Sequence, residues 1–149
     1  NLARILFMDF LFRQIVEVQG VVMEFGTRWG QNLALFSALR GIHDPFNRHR
    51  KIIGFDTFTG FPSVSKKDGS SEMMSRGALA VSDNYKNTLS EIMTLHEEVN
   101  PLAHLKKFDI RAGDASVEIE KYLKEKDIQL NSIKCNEEDL KNKLSDNLT

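Results

Sequence analysis

Short apolar runs alternate along the chain with longer segments in which apolar residues recur at helical spacing. The runs at 21–25 and 51–56 are rich in β-branched residues and bounded by glycine or an acidic residue, which predicts two buried parallel strands. Between them, apolar positions from 31 to 39 predict a helix with Gly41 as its stop. Strand, glycine turn, helix and strand in this order form a βαβ unit with a right-handed crossover.

The rest of the chain continues this alternation and predicts an α/β fold. Residues 57–84 lack periodicity and are rich in glycine and serine, which is typical of a binding loop or a lid. The further elements predicted are helices at 85–98, 116–126 and 136–144, and strands at 106–111 and 128–135. We expect one domain over 1–149, with a helix at 1–19, a lid-like loop at 57–84 and a polar tail at 136–149.

The most apolar stretch, residues 2–18, is predicted to be an amphipathic or largely buried helix. Charged residues, Asp9 among them, interrupt it, and a membrane span needs about 20 mostly apolar residues. Asp9 also lies where a signal peptide would be apolar, and no small-residue cleavage site follows. The helix therefore either covers the sheet or pairs with a partner subunit in a homo-oligomer. We expect a soluble, cytoplasmic protein that does not bind membranes.

Composition excludes two further classes of protein. Twenty basic and 21 acidic side chains give a net charge of −1 over 149 residues, whereas nucleic-acid binders show a basic excess. The basic cluster at 48–51 is accordingly predicted to be a solvated turn. A single cysteine, Cys135, excludes a disulfide framework and indicates a reducing compartment.

The first candidate site is the glycine turn that follows the first strand, at residues 24–30. Gly26 can adopt a positive φ and lets a ligand lie against the backbone, and free N–H groups near Gly30 favour an anionic or carboxylate-bearing ligand. The two glycines have the spacing GxxxG rather than the GxGxxG of dinucleotide-binding folds, which disfavours an NAD-type oxidoreductase. A tight strand-to-helix turn without a ligand explains the same residues equally well.

Two aspartates follow the other strands of the predicted sheet. Asp56 ends the second strand, where nucleotide-binding α/β proteins place a carboxylate that accepts hydrogen bonds from ribose hydroxyls. Asp114 follows the third strand, where it either accepts a hydrogen bond from an adenine amino group or caps the next helix. These two roles are compatible.

In this order, the three sites resemble those of class I methyltransferases, which use S-adenosylmethionine (SAM). The segment VMEFG at 22–26 with Gly30 resembles their first motif, Asp56 their ribose-binding residue, and Asp114 with Ala115 their adenine-proximal position. The segment GFDTFTGFP at 54–62 and the stretch GDASVEIEKYL at 113–123 resemble more specifically the macrocin O-methyltransferase family, whose members methylate sugar hydroxyls of natural products.

This resemblance implies a Rossmann-like sheet with SAM across the carboxyl ends of its strands. The methionine end would lie by Glu24 and the glycine turn, the ribose by Asp56, and the adenine by Asp114. The full cofactor-binding set comprises Glu24, Gly26, Thr27, Gly30, Asp56, Thr57, Phe58, Asp114 and Ala115. The activity implied is SAM-dependent O-methylation of a small-molecule hydroxyl, such as that of a natural-product sugar or a glycan.

The sequence departs from the family after its predicted fourth strand. An acceptor hydroxyl needs a base or a metal to lose its proton, and the resemblance implies Mg held there by acidic residues. Instead the chain passes from Cys135 into a charged helix without such a pair, so no catalytic or metal residue is assigned.

About four strands are predicted, where class I methyltransferases usually have seven. We expect a truncated chain that keeps the cofactor half and lacks the acceptor half. The alternative function is a module that binds SAM or another adenosine ligand without turnover.

Overall fold

The computed structural model describes residues 2–64 and 75–125, which contain four helices and three strands. Their order is α1 (Leu2–Gln14), β1 (Val22–Phe25), α2 (Gln31–His43), β2 (Ile52–Asp56), α3 (Tyr85–Glu98), β3 (Phe108–Ala112) and α4 (Ala115–Glu125). The chain divides into two compact units, Asn1–Ala115 and Ser116–Thr149. The first unit holds the whole sheet, and the described part of the second is the remainder of α4.

The three strands form a parallel sheet in the order β1-β2-β3. Phe25 pairs with Phe55, and Asp56 with Ala112, so the carboxyl ends of the strands lie along one edge. The central strand is buried from Ile52 to Phe55, as expected for a parallel sheet. The predicted α/β class and βαβ order are confirmed.

The hydrophobic core of the first unit lies where α2 and α3 meet β2 and β3. Its buried members are Leu33, Ile52, Leu89, Met93, Phe108 and Ile110. The close approach of α2 depends on Gly54, because a Cβ there would lie 2.7 Å from Thr27 Oγ1 and 2.9 Å from Leu33 Cδ1. Any larger residue at position 54 would force the side chains of Thr27 and Leu33 to shift.

Helix α1 is shorter than the sequence predicts, and the expected helix at 1–19 is wrong beyond Gln14. The carbonyl oxygens of Ile15, Val16 and Val18 do not continue the helix, since each accepts a hydrogen bond from the guanidinium of Arg50. The same contacts correct the predicted solvated turn at 48–51: Arg48 and His49 are exposed, but Arg50 is only 2% exposed.

Helix α2 is longer than predicted, and Gly41 does not stop it, because the helix runs to His43. A Cβ on Gly41 would collide with the side-chain amide of Asn100. That amide donates hydrogen bonds to His96 O at 2.7 Å and Ser37 O at 3.4 Å. The glycine therefore permits close packing of the chain after α3 against α2, rather than ending the helix.

The remaining boundaries agree closely with the sequence patterns. The predicted helix at 85–98 coincides with α3, and the predictions at 106–111 and 116–126 match β3 and α4 within two residues. The predicted strand at 128–135, charged helix at 136–144 and polar tail at 136–149 lie outside the described residues. Within the described ranges, no helix has the length and apolar character needed to cross a membrane.

A buried ion cluster joins α2, α3 and the start of β3. Glu97 forms ion pairs with Arg40 and, at 2.9 Å, with Lys107 Nζ, and the three residues are only 1–3% exposed. The Lys107 ammonium also donates to the carbonyls of Leu102 and Leu105. Burial alone would raise the pKa of Glu97, but the hydrogen bonds from the two cations outweigh it and leave that pKa below its usual value.

This cluster predicts a loss of stability in acid. Because its folded pKa is lowered, Glu97 stabilises the fold above its unfolded pKa of about 4.3, and this contribution disappears as pH falls through the folded pKa. In urea titrations from pH 7 to pH 3, the gap in free energy of unfolding between wild type and Glu97→Gln should narrow with falling pH. The exposed neighbour provides the control Glu98→Gln, for which we expect no gap. A gap for Glu97→Gln that stays constant with pH would contradict the assignment.

Candidate functional site

A cleft of about 250 Å³ lies at the carboxyl edge of the sheet. Residues from the ends of all three strands and from both described parts of the long loop line it: Gly26, Arg28, Phe55, Asp56, Thr57, Gly60, Phe61, Pro62, Ala78, Leu79, Gly113 and Ala115. All of them belong to the first unit. Open α/β sheets bind their ligands in this position, outside the carboxyl ends of the strands.

Asp56 is the carboxylate in this lining, and it fixes the backbone on both sides of itself. Its Oδ2 accepts a hydrogen bond from the N–H of Arg28 and its Oδ1 one from the N–H of Phe58, both at 2.6 Å. Both donors have left-handed backbones, with φ of 47° and 59°, a conformation that costs free energy for residues other than glycine. The carboxylate therefore stabilises two strained turns at once.

Asp56 still has capacity to bind a ligand. A carboxylate offers about four lone-pair sites, and the two backbone N–H groups occupy two of them. The other two can accept hydrogen bonds from a pair of neighbouring hydroxyls, such as those of a ribose. The side chain is thus oriented by the protein before any ligand binds.

Gly26 leaves the floor of the cleft open. Its φ is +77°, and a Cβ built there meets no atom of the described residues within 4 Å. Its N–H donates to Phe55 O at 2.9 Å, which fixes the turn just after β1. A ligand can therefore lie directly against this backbone, as the sequence predicts.

The predicted lid-like loop contributes one wall of the cleft. Phe61 exchanges backbone hydrogen bonds with the opposite segment, donating to Ala78 O at 3.2 Å and accepting from Gly77 N at 2.9 Å. Gly60 is tightly enclosed there, because a Cβ on it would lie 2.6 Å from the carbonyl carbon of Gly77. Thr57 Oγ1 donates to Gly60 O at 2.7 Å and closes the turn. The described parts, 57–64 and 75–84, thus meet each other beside the cleft.

Two residues of the predicted cofactor set lie beneath the glycine turn and do not line the cleft. Thr27 is 4% exposed, and its hydroxyl lies against Gly54 without a hydrogen-bond partner among the described residues. Gly30 is buried, and a Cβ there would collide with the Leu89 side chain of α3. Both residues shape the turn that Gly26 presents to a ligand.

Glu24 lies next to this turn with one oxygen unused. Its Oε1 accepts a hydrogen bond from Asn32 Nδ2 at 2.7 Å, whereas its Oε2 is buried without a partner among the described residues. Burial raises the pKa of Glu24. A cationic ligand group near Oε2 would relieve this penalty, because it supplies the missing hydrogen bond and an opposite charge.

The other predicted site residues divide between the cleft and its surroundings. Thr57 and Ala115 line the cleft, whereas Phe58 packs against the hydrophobic core. Asp114 is exposed and directly precedes α4, the position at which the sequence allows a helix cap. Ligand contacts of the nine residues stay predictions, and the structure brings four of them, Gly26, Asp56, Thr57 and Ala115, together in the lining.

Several lining residues were not in the predicted set. Phe61 and Pro62 belong to the GFDTFTGFP segment, so their place in the motif was the available signal. Arg28 lies inside the glycine turn and extends over the Trp29 ring, with its guanidinium carbon 5.7 Å from the ring centroid. For Leu79, no local pattern in the sequence indicates a place in the cleft, because the backbone pairing across the loop brings it there.

A metal centre has no counterpart in the described ranges 2–64 and 75–125. No group of three or more His, Cys, Asp or Glu side chains is arranged there to hold an ion. The resemblance places the Mg ligands after the predicted fourth strand, which lies outside these ranges. The described residues therefore do not fit a magnesium site.

The parallel sheet, the glycine turn after β1 and the carboxylate at the end of β2 are features of a Rossmann-like fold. Two solved structures share it. A crystal structure of CalS11, a calicheamicin methyltransferase, is 40% identical and covers 83% of this chain with a TM-score of 0.79. The apo structure of CalS11, a TDP-rhamnose 3'-O-methyltransferase of calicheamicin biosynthesis, is 34% identical over 83% of this chain, with a TM-score of 0.67.

The match extends over 49% and 45% of the two CalS11 chains, so this chain spans about half their length. These similarities confirm the predicted resemblance to the macrocin O-methyltransferase-like family of class I SAM-dependent methyltransferases. No family model matches the chain, and no curated protein sequence does.

Proposed function

We propose that this protein is a SAM-dependent O-methyltransferase that acts on a sugar hydroxyl of a natural product. The observation that carries the proposal is Asp56 in the cleft, with both carboxylate oxygens oriented by backbone N–H groups and two lone-pair sites left for a ribose. The activity of CalS11 on TDP-rhamnose supports a sugar as the acceptor.

The described residues fit SAM in its chemistry. Asp56 binds the ribose hydroxyls, and Gly26 leaves space against its backbone for the amino-acid portion. Glu24, whose buried Oε2 has no hydrogen-bond partner among the described residues, accepts a hydrogen bond from the ammonium group of the methionine moiety. Ala115 and Asp114 lie on the adenine side. When bound, SAM supplies a methyl group on a sulfonium centre, which an oxygen nucleophile can displace.

The contribution of this chain to the reaction is orientation. Fixed turns on both sides of Asp56 hold the cofactor cleft in one geometry, and alignment of donor and nucleophile is a large part of catalysis in a displacement reaction. We assign no general base, because none of the described residues in the cleft lining is a histidine or a second carboxylate.

Calorimetric titration of the protein with SAM, S-adenosylhomocysteine (SAH) and NAD tests the cofactor. We expect saturable heat with SAM and SAH and none with NAD. Transfer of labelled methyl from SAM to TDP-rhamnose and other TDP-linked sugars then tests the reaction. Binding of SAH without transfer to any sugar would favour a non-catalytic SAM-binding module, and absence of heat with both SAM and SAH would overturn the proposal.

A further inference from the structure

Glu24 is connected to helix α1 by a chain of two hydrogen bonds. The guanidinium of Arg4 donates to Asn32 Oδ1, and Asn32 Nδ2 donates to Glu24 Oε1 at 2.7 Å. The three residues belong to α1, α2 and β1 in turn, and all of them lie in the first compact unit. The chain of contacts therefore runs from the exposed Arg4 to the half-buried Glu24 beside the glycine turn.

The two contacts fix the direction of the Asn32 amide and, through it, the use of the Glu24 carboxylate. Arg4 has only donors, so the oxygen of the amide faces Arg4 and its NH₂ group faces Glu24. This donor occupies Oε1, whereas Oε2 is buried without a hydrogen-bond partner among the described residues. One oxygen of Glu24 is thus held by the protein, and the other is left for a ligand.

The same contacts favour the ionised form of Glu24. Burial raises the pKa of this carboxyl group, and the charge of Asp56 acts in the same direction. The hydrogen bond from Asn32, the charge of Arg4 and the backbone N–H of Leu33 lower that pKa. Among the described residues, the charged groups that act on Glu24 are therefore Arg4 from α1 and Asp56 from β2. Loss of either Asn32 or Arg4 would raise the pKa of Glu24 further.

We propose that Arg4 and Asn32 are positioning residues of the cofactor site, which hold Oε1 of Glu24 so that Oε2 is presented to the ammonium group of SAM. This inference rests on the proposed function, in which Glu24 accepts a hydrogen bond from that group. Neither Arg4 nor Asn32 is part of the cleft lining, so both act through Glu24. The competing explanation is that the two hydrogen bonds only fasten α1 to α2.

Two ligands separate these explanations in calorimetric titrations. SAH carries the amino-acid portion of the cofactor, whereas 5′-methylthioadenosine keeps the adenine and the ribose and lacks that portion. Asn32→Leu should lower the affinity for SAH by about tenfold, because it removes a hydrogen bond to a charged group. Arg4→Met should lower it by about threefold, since an exposed charge acts more weakly. The affinity for 5′-methylthioadenosine should be unchanged in both variants.

Matched controls exist for both changes. Arg13→Met removes another exposed arginine of α1, one that pairs with Asp9, and Asn87→Leu removes an exposed asparagine from the first turn of α3. Both controls should bind SAH with wild-type affinity. Arg4→Lys keeps a positive charge and a donor, so it should retain most of the affinity that Arg4→Met loses. Binding of 5′-methylthioadenosine shows that each variant is folded.

The pH dependence of binding provides a second measurement. From pH 7 to pH 4.5, the affinity for SAH relative to 5′-methylthioadenosine should fall as Glu24 is protonated, because a neutral carboxyl group attracts the ammonium group less. Both ligands carry the same ribose, so a change at Asp56 affects them equally. In Asn32→Leu and Arg4→Met the fall should begin at higher pH, because each variant lacks a group that lowers the pKa of Glu24.

The outcomes distinguish this inference from the proposed function. If Asn32→Leu loses equal affinity for the two ligands, or none for either, the inference is overturned and the proposed function stands. A pKa of Glu24 that is the same in the ligand-free wild type and in Asn32→Leu, followed by the carbon-13 signal of its carboxyl group, would also overturn the inference. Absence of heat with SAH in the wild type would overturn the proposed function and this inference with it.

Discussion

Replacing Asp56 with alanine should lower the affinity for SAH by at least about 100-fold. The variant loses two hydrogen bonds from the carboxylate to ribose, each worth about 1.5–3 kcal/mol when one partner is charged. It also frees the N–H groups of Arg28 and Phe58, which Asp56 holds at 2.6 Å in left-handed conformations. Calorimetric titration with SAH measures the loss directly.

The control for this change is Asp83→Ala, which removes an exposed aspartate from the connection before α3. Because Asp83 lies outside the cleft lining, the dissociation constant of SAH for this variant should stay within twofold of the wild-type value. An unchanged affinity in Asp56→Ala would exclude Asp56 as the ribose ligand and, with it, the proposed placement of SAM.

Asp56→Asn tests whether this side chain fixes the two turns in the absence of a ligand. An amide has one acceptor oxygen, so its NH₂ group must face either the Arg28 or the Phe58 N–H, and one of the two turns loses its hydrogen bond. Amide hydrogen exchange at positions 28 and 58 in the ligand-free protein should therefore rise at one of them. Unchanged protection at both would mean that other contacts fix the turns.

The alternation of strands and helices could be predicted from the sequence because each element carries its own local signal. Buried parallel strands are short apolar runs and α3 has apolar residues at helical spacing, so its bounds at Tyr85 and Glu98 were predicted correctly. The same pattern places Asp56 at the end of β2. Because the carboxyl ends of neighbouring parallel strands share one edge, its place in the cleft could be predicted as well.

What the sequence did not predict depends on contacts between distant residues. The end of α1 at Gln14 is determined by hydrogen bonds from Arg50, some 35 residues away along the chain. Glycine at position 41 matches a local stop signal, so the sequence predicts that α2 ends there. In the structure this glycine instead makes room for the side-chain amide of Asn100, which is distant in sequence. In the cleft, Leu79 is brought to the site by backbone hydrogen bonds between the two described parts of the loop. The sequence of this loop has no periodicity that would predict them.

The second large effect that we expect is a loss of stability when Arg50 is replaced. Its guanidinium is 2% exposed and donates to Asp44 Oδ2 at 2.9 Å and to the carbonyls of four residues between α1 and β1: Ile15, Val16, Val18 and Gly20. Arg50→Met keeps much of the apolar stem and removes every donor. Removal of one partner from a buried ion pair costs about 3–5 kcal/mol, and here carbonyl groups lose their donor as well.

Urea denaturation measures this effect, and Arg48→Met is the control. Arg48 lies two residues earlier and is exposed, so its replacement should change the free energy of unfolding by no more than about 0.5 kcal/mol. Domains of this size are stable by about 5–15 kcal/mol, so loss of the Arg50 contacts removes a large share. Amide hydrogen exchange should also rise first at residues 15–20. This segment loses the donor that fixes its carbonyl groups, so its backbone opens more easily. Equal stability of the two variants would show that Asp44 and this segment are held by other contacts.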